Sequence, residues 1–190
     1  AMDVMVDEAT EDITKMAAMS PSEKSYFETS VLAHAKHRIA WLLILMFSAT
    51  ITGTIITRYE NAFAAIPLLV SFIPMLMDTG GNCGSQSSTL IIRGIALGEI
   101  QFSDLFRVMF KEFRVSLIVG VALALANGIR ILIMYKNAGL ALVIGLSLVA
   151  TIVISKLIGC VLPLIAKKLH MDPAIMASPL ITTLVDTCSI

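Results

Sequence analysis

The sequence predicts an all-α protein: a polytopic membrane bundle of five transmembrane helices per subunit, preceded by a short cytosolic amphipathic, acidic helix. Three observations carry this reading. Hydrophobic residues fill 57% of the 190 positions and charged residues only 15%, where soluble domains run at about 45–50% and about 25%. Mean hydropathy is +0.87. The apolar residues also gather into runs of span length separated by polar turns. These proportions exclude an ordinary soluble fold, a disordered chain and a collagen-like fibre. With 14 Lys and Arg against 14 Asp and Glu, the basic excess of a nucleic-acid binder is missing, and the lipid bilayer is the expected partner. Cys83, Cys160 and Cys188 are odd in number and far apart, which reads as reduced packing thiols.

Residues 1–38 are expected to stay outside the membrane, and residues 39–190 to form the membrane domain. The first segment holds Asp3, Asp7, Glu8, Glu11 and Asp12, an acidic helix ending near Met19. Ser20-Pro21-Ser22-Glu23 supplies an N-cap serine, a proline at N1 and a glutamate at N3, so a second helix starts there. No basic n-region runs directly into an apolar core, so no signal peptide is legible. The run 39–57 is about 19 residues, enough for one span at roughly 1.5 Å per residue.

After the polar turn Arg58-Tyr59-Glu60-Asn61, the run 62–97 is too long for one straight span. Pro67 and Pro74 interrupt it and Gly80, Gly81 and Gly84 follow, which predicts a kinked or broken second helix. Residues 98–114 read as a charged loop, 115–135 as the third span and 138–166 as the fourth. Asp172-Pro173 is an N-cap and N1 pair opening a fifth helix that continues to Ile190. That helix barely reaches across a bilayer, so the chain is expected to end within its last span. A cytoplasmic N-terminus puts Lys15, Lys24, Lys36, Arg38, Arg93, Arg107, Lys111, Arg114, Lys167 and Lys168 inside. Only Arg58, Arg130 and Lys136 then fall outside, the asymmetry the positive-inside rule favours.

Polar groups at bilayer depth need a partner, a cavity or a function. The densest stretch is Asp78-Thr79-Gly80-Gly81-Asn82-Cys83-Gly84-Ser85-Gln86-Ser87-Ser88-Thr89. Close helix packing accounts for its small residues but not for Asp78, Asn82 and Gln86, whose spacing of four puts them on one helical face. The second candidate is Asp186, about 13 residues past Pro173 and so roughly 20 Å deep at helical rise. Ser178 and Thr182 share its face. A water-lined pore would accommodate this acid. A neutral carboxyl, or an ion pair with Lys156 or Arg130, would do so structurally. Lys156 itself reads as structural, snorkelling or paired with Asp186 or Asp78. His34, His37 and His170 lack metal-ligand spacing, and the methionines read as packing. Carboxylate, amide and hydroxyl oxygens together suit a hard cation, Mg²⁺ or Ca²⁺, held weakly enough to pass.

The motifs Pro74–Gln86 (PMLMDTGGNCGSQ), Ser88-Thr89-Leu90-Ile91-Ile92-Arg93-Gly94 and Asp172-Pro173-Ala174…Pro179-Leu180…Thr183-Leu184-Val185-Asp186 resemble the membrane domain of the MgtE family of bacterial magnesium channels. The likeness runs in order through nearly the whole chain. Glu8-Ala9-Thr10-Glu11-Asp12-Ile13 is similar to the end of the family's helix between cytosolic sensor domains and pore. The resemblance implies a homodimer in the bacterial inner membrane, its pore lined by the second and fifth helices, with cytosolic regulatory domains missing from this segment. It also implies that Asp186 recognises hydrated Mg²⁺, that Asn82 lines the pore, and that Glu11, Asp12 and Asp3 lie near regulatory Mg²⁺. Asp78 stands where the family commonly has glycine, and Ser178 where it often has asparagine.

The expected function is therefore a non-enzymatic, Mg²⁺-selective pore, with Asp186, Asn82, Asp78, Ser178 and Thr182 on the ion path. A secondary divalent-cation transporter or exchanger is the nearest alternative, using the broken second helix as a gate. An intramembrane aspartyl protease built on Asp78 and Asp186 is remote, because the Y-D and G-x-G-D contexts are missing. No phosphate-binding G-x-x-x-x-G-K-[ST] loop occurs.

Overall fold

The computed structural model of the chain describes residues 11–17, 19, 26–176 and 178–190, excluding the side chains at 62, 175, 176 and 178. A helical stretch at 11–16 is followed by α1 (Val31–Arg58), α2 (Glu60–Ala65), α3 (Ile73–Ala96), α4 (Leu105–Tyr135), α5 (Ala138–Lys168) and α6 (Ser178–Ser189). Short 3-10 turns at Pro67–Phe72, Phe102–Asp104 and Pro173–Met176 precede α3, α4 and α6. Among the described residues there is no strand, so the all-α expectation holds. The start expected at Ser20-Pro21 and the acid Asp3 lie outside the described residues.

Ser30 caps α1 by accepting the Ala33 N–H at 3.3 Å. The chain then breaks at Ile66 (φ −137, ψ 77), where Pro67 opens a 3-10 turn, while Pro74 sits in the first turn of α3. There its missing N–H has no intrahelical partner to lose. The expected interruption therefore occurs at Ile66 and not at the glycines. Gly80, Gly81 and Gly84 lie within an unbroken α3.

The expected charged loop 98–114 is mostly helix. Gly98, at φ 71, turns the chain out of α3. A reciprocal capping box between Gln101 and Asp104 then starts the next helical segment, with the Gln101 N–H donating to Asp104 Oδ2 at 3.0 Å. Hydropathy marks where a helix enters lipid, not where it begins, so Arg107, Lys111, Glu112 and Arg114 belong to α4. Asn137 caps α5 through the Leu140 N–H at 3.0 Å. The fifth expected helix opens as the 3-10 turn Pro173–Met176, and its α-helical part is Ser178–Ser189.

Among the described residues three helices are long and apolar enough to cross a membrane: Val31–Arg58, Phe102–Tyr135 and Ala138–Lys168. α3 has the length, with 24 residues, but carries the polar stretch. α6, with 12 residues, falls short of the ~20 a span needs. The helix α5 lies at the centre, packed against α4, α3 and α6, and α6 in turn touches α1. Its buried stripe Leu140, Ile144, Leu148 and Ile152 meets Phe72 and Ile131, then Leu76 and Cys83. Further along, Cys160 and Leu164 meet Ile91. All three cysteines are free thiols; Cys83 and Cys160 are buried as expected of packing residues, whereas Cys188 is exposed.

Candidate functional site

The two sides of α3 do different work. Gly80, Gly81, Gly84, Ser87 and Ser88 are buried, while Asp78, Asn82 and Gln86 are exposed on the opposite side. Removing the side chains on one side lets α5 and α6 close onto α3. A Cβ at Gly159 of α5 would fall onto the Gly84 carbonyl oxygen. One at Gly81 would stand 2.9 Å from Thr182 Cγ2 of α6. Ile181 and Val185, 0% and 1% exposed, lie over Gly84 and Gly80 and seat α6 on α3. This fixes which face of α6 turns toward the polar stripe of α3.

The result is an open cavity of about 470 Å³ lined by Pro74, Met77, Asp78, Gly81 and Asn82 from α3 and by Thr182 and Asp186 from α6. Four of the expected pore residues, Asp78, Asn82, Thr182 and Asp186, are thus neighbours. The Ser178 side chain lies outside the described residues, and Gln86 does not line the cavity. The Thr182 and Thr183 hydroxyls donate to the Pro179 carbonyl at 2.9 and 2.8 Å, occupying their protons within α6. A hydrogen bond of 3.1 Å between Thr187 and Thr52 ties α6 to α1. Two carboxylates, an amide and a hydroxyl present only oxygen acceptors to a cation, the donor set of a hard ion that keeps its waters. Among the described residues no third His, Cys, Asp or Glu joins them.

Neither cation named as a partner for Asp186 reaches it. Arg130 donates to Asn127 Oδ1 at 3.0 and 2.8 Å and lies over the Phe72 ring. Lys156 turns to the other side of α3, correcting the expected pairing with Asp186 or Asp78. Its Nζ donates to Ser87 Oγ at 3.0 Å, Ser87 donates to Glu112 Oε2 at 2.7 Å, and Nζ and Oε2 stand 3.5 Å apart. The Lys156 and Glu112 side chains are 7% and 10% exposed. This knot joins α3, α4 and α5. Its legible signal was the four-residue recurrence of Glu112, Ser116 and Gly120, all buried on α4.

Of the expected regulatory acids, Glu11 forms a 2.6 Å ion pair with Lys15. Lys15 also pairs with Asp172 at 2.7 Å, and Asp172 accepts the Ala174 N–H at 2.9 Å. The expected cap at Asp172 is present, and it also anchors the segment 11–16. The hydrogen bonds to Asp172 and Glu11 raise the Lys15 ammonium above the ordinary lysine range. Burial pushes the Asp172 carboxyl up, but Lys15 and the Ala174 N–H outweigh it and hold it below its usual value.

Comparison with known proteins gives the family. Residues 73–190 match the family model MgtE, described as a divalent cation transporter. The magnesium transporter MgtE of Bacillus subtilis is 37% identical over 189 residues, covering 100% of this chain and 42% of the relative. That of Thermus thermophilus is 36% identical over 186 residues, covering 97% and 41%. The protein of the same name from Enterococcus faecalis is 31% identical over 189 residues, covering 100% and 41%. The chain thus spans about two fifths of the length of these curated relatives. The matched region begins with α3 and contains every residue lining the cavity, and the chain belongs to the MgtE family of divalent cation transporters.

Proposed function

We propose that this chain is the conducting part of a Mg²⁺ channel of the bacterial inner membrane, with its N-terminus cytoplasmic. Two copies form a homodimer, and α3 and α6 of each line one pore between them. The observation that carries this reading is the convergence of Asp78, Asn82, Thr182 and Asp186 on one open cavity. The names of the relatives, magnesium transporters, support the choice of ion. A carboxylate surrounded by neutral acceptors holds a hydrated divalent ion through its waters, weakly enough to release it. The membrane potential contributes about 2.3 kcal/mol per charge per 100 mV, so a doubly charged ion runs inward without ATP. Glu11 and Asp12, with Asp3, are proposed as acids that meet regulatory cytosolic Mg²⁺, which would compete with Lys15 for the Glu11 carboxylate. The remaining length of the relatives fits cytosolic regulatory domains.

The test is Mg²⁺ uptake into liposomes by purified protein. Losing one charge-assisted contact of about 1.5–3 kcal/mol lowers uptake by roughly tenfold or more in Asp186→Ala and removes the preference for Mg²⁺. Unchanged uptake and selectivity would overturn the assignment. The break at Ile66 ahead of α3 also suits a transporter built on interrupted helices. Saturable flux that requires a Na⁺ or H⁺ gradient would replace the channel with that mechanism at the same site.

A further inference from the structure

Two adjoining cavities on α4 take no part in the proposed pore. One, about 340 Å³, is lined by Arg107, Phe110, Lys111, Arg114, Val115 and Ile118. The other, about 650 Å³, shares Arg107, Lys111 and Val115 and reaches inward as far as Glu112 and Lys156. Arg107, Lys111 and Arg114 are spaced at i, i+4 and i+7, one face over two turns of helix. All three are exposed. Among the described residues none of them lies in an ion pair with a carboxylate. Three acids line the larger cavity, Glu99, Asp104 and Glu112; Asp104 accepts the Gln101 N–H, and Glu112 is engaged by Ser87 and Lys156. Arg114 lies over the Phe110 ring, 5.9 Å from its centroid.

The chemistry changes abruptly beyond these cations. From Val115 to Ala126 the one polar side chain of α4 is the buried Ser116, and Ile118 is 73% exposed one turn beyond Arg114. Three unpaired cations over an apolar wall, at the level where the hydrocarbon begins, complement an anion that is covalently attached to hydrocarbon. A free phosphate would satisfy the cations and leave Phe110, Val115 and Ile118 uncovered. We propose that this face of α4 is a binding site for one anionic phospholipid. Arg107, Lys111 and Arg114 hold its phosphodiester headgroup, and an acyl chain runs along Val115 and Ile118.

The experiment is native mass spectrometry of the purified protein from mixed micelles containing equal phosphatidylglycerol and phosphatidylcholine. Wild type is expected to retain phosphatidylglycerol preferentially, one per chain. Each membrane-surface cation is worth on the order of a fivefold preference, so Arg107→Gln/Lys111→Gln/Arg114→Gln should lose the preference by tenfold or more. Lys167→Gln/Lys168→Gln removes two cations expected at the same membrane surface and should keep it, which separates a site from general basic charge. Millimolar inorganic phosphate should leave retention unchanged. Equal retention of both lipids by wild type overturns the proposal, and this arm needs no variant to fold. So does an equal loss in the Lys167/Lys168 variant, or displacement by inorganic phosphate.

Discussion

Lys156 is a buried ammonium whose charge is met by Glu112 and whose second partner is the Ser87 hydroxyl. Taking both charges out of water is expensive, and removing only one leaves the other without compensation, a loss of roughly 3–5 kcal/mol. Lys156→Met is therefore expected to lower the thermal midpoint of the detergent-solubilised protein sharply. Lys156→Met/Glu112→Leu should recover most of that loss, since it leaves only Ser87 to be satisfied. Equal midpoints for the single and double variants would show that the two charges are not coupled. The same residues mark a limit of what the sequence displays. Asp78 and Asn82 were legible as a stripe because a spacing of four on a helix is geometry, and polar atoms at depth stand out against an apolar background. Glu112 lies three residues before the apolar run from Val115, and average hydropathy erases one acid among neighbouring cations. Lys156 was visible but its partner was not, since pairing depends on how three helices are rotated.

Among the elements, the crossing of α3 and α5 has the least room to adjust. A methyl group at Gly159 would meet backbone of α3, the Gly84 carbonyl, and backbone cannot swing aside as a side chain can. Gly159→Ala must therefore push the helices apart. Gly128 of α4 has nothing within 4 Å of its added Cβ, so Gly128→Ala gains up to about 1 kcal/mol of helix propensity without a clash. Thermal midpoints should fall for Gly159→Ala and hold or rise for Gly128→Ala. A matched change in both would remove the close-approach account of this crossing. Element boundaries were readable where a cap or a proline marked them. The fourth span, expected at 138–166, is the helix Ala138–Lys168, opened by its Asn137 cap. The start of α4 was displaced ten residues because its first turns lie outside the apolar run.

At the scale of the whole molecule, the arrangement of helices was the part least visible in the sequence. Apolar residues surround α1, α4 and α5 on nearly every side, so hydropathy does not tell a face that meets protein from one that meets lipid. That α5 lies at the centre depends on its small and branched residues fitting three neighbours at once. The connection from the N-terminal segment to the turn before α6 was equally hidden, because Lys15 and Asp172 are separated by 157 residues. This link joins 11–16 to the turn that leads into α6, the helix carrying Asp186. Its ion pair is partly exposed, with side chains 22% and 32% accessible, and such pairs are worth about 0–1 kcal/mol. Lys15→Met should then speed amide hydrogen exchange in 11–16 by no more than about fivefold. Asp172→Asn should act similarly, and combining the two should add little. The depressed Asp172 value means that its contribution is present above the ordinary carboxylate range and is lost as pH falls through that lower value. The raised Lys15 value means that its contribution persists below the ordinary lysine range and is lost only as pH rises past it. Exchange in 11–16, corrected for its intrinsic pH dependence, should therefore stay level between about pH 5 and 9. A transition near neutrality, or additive effects of the two substitutions, would mean that another contact holds the segment to α6.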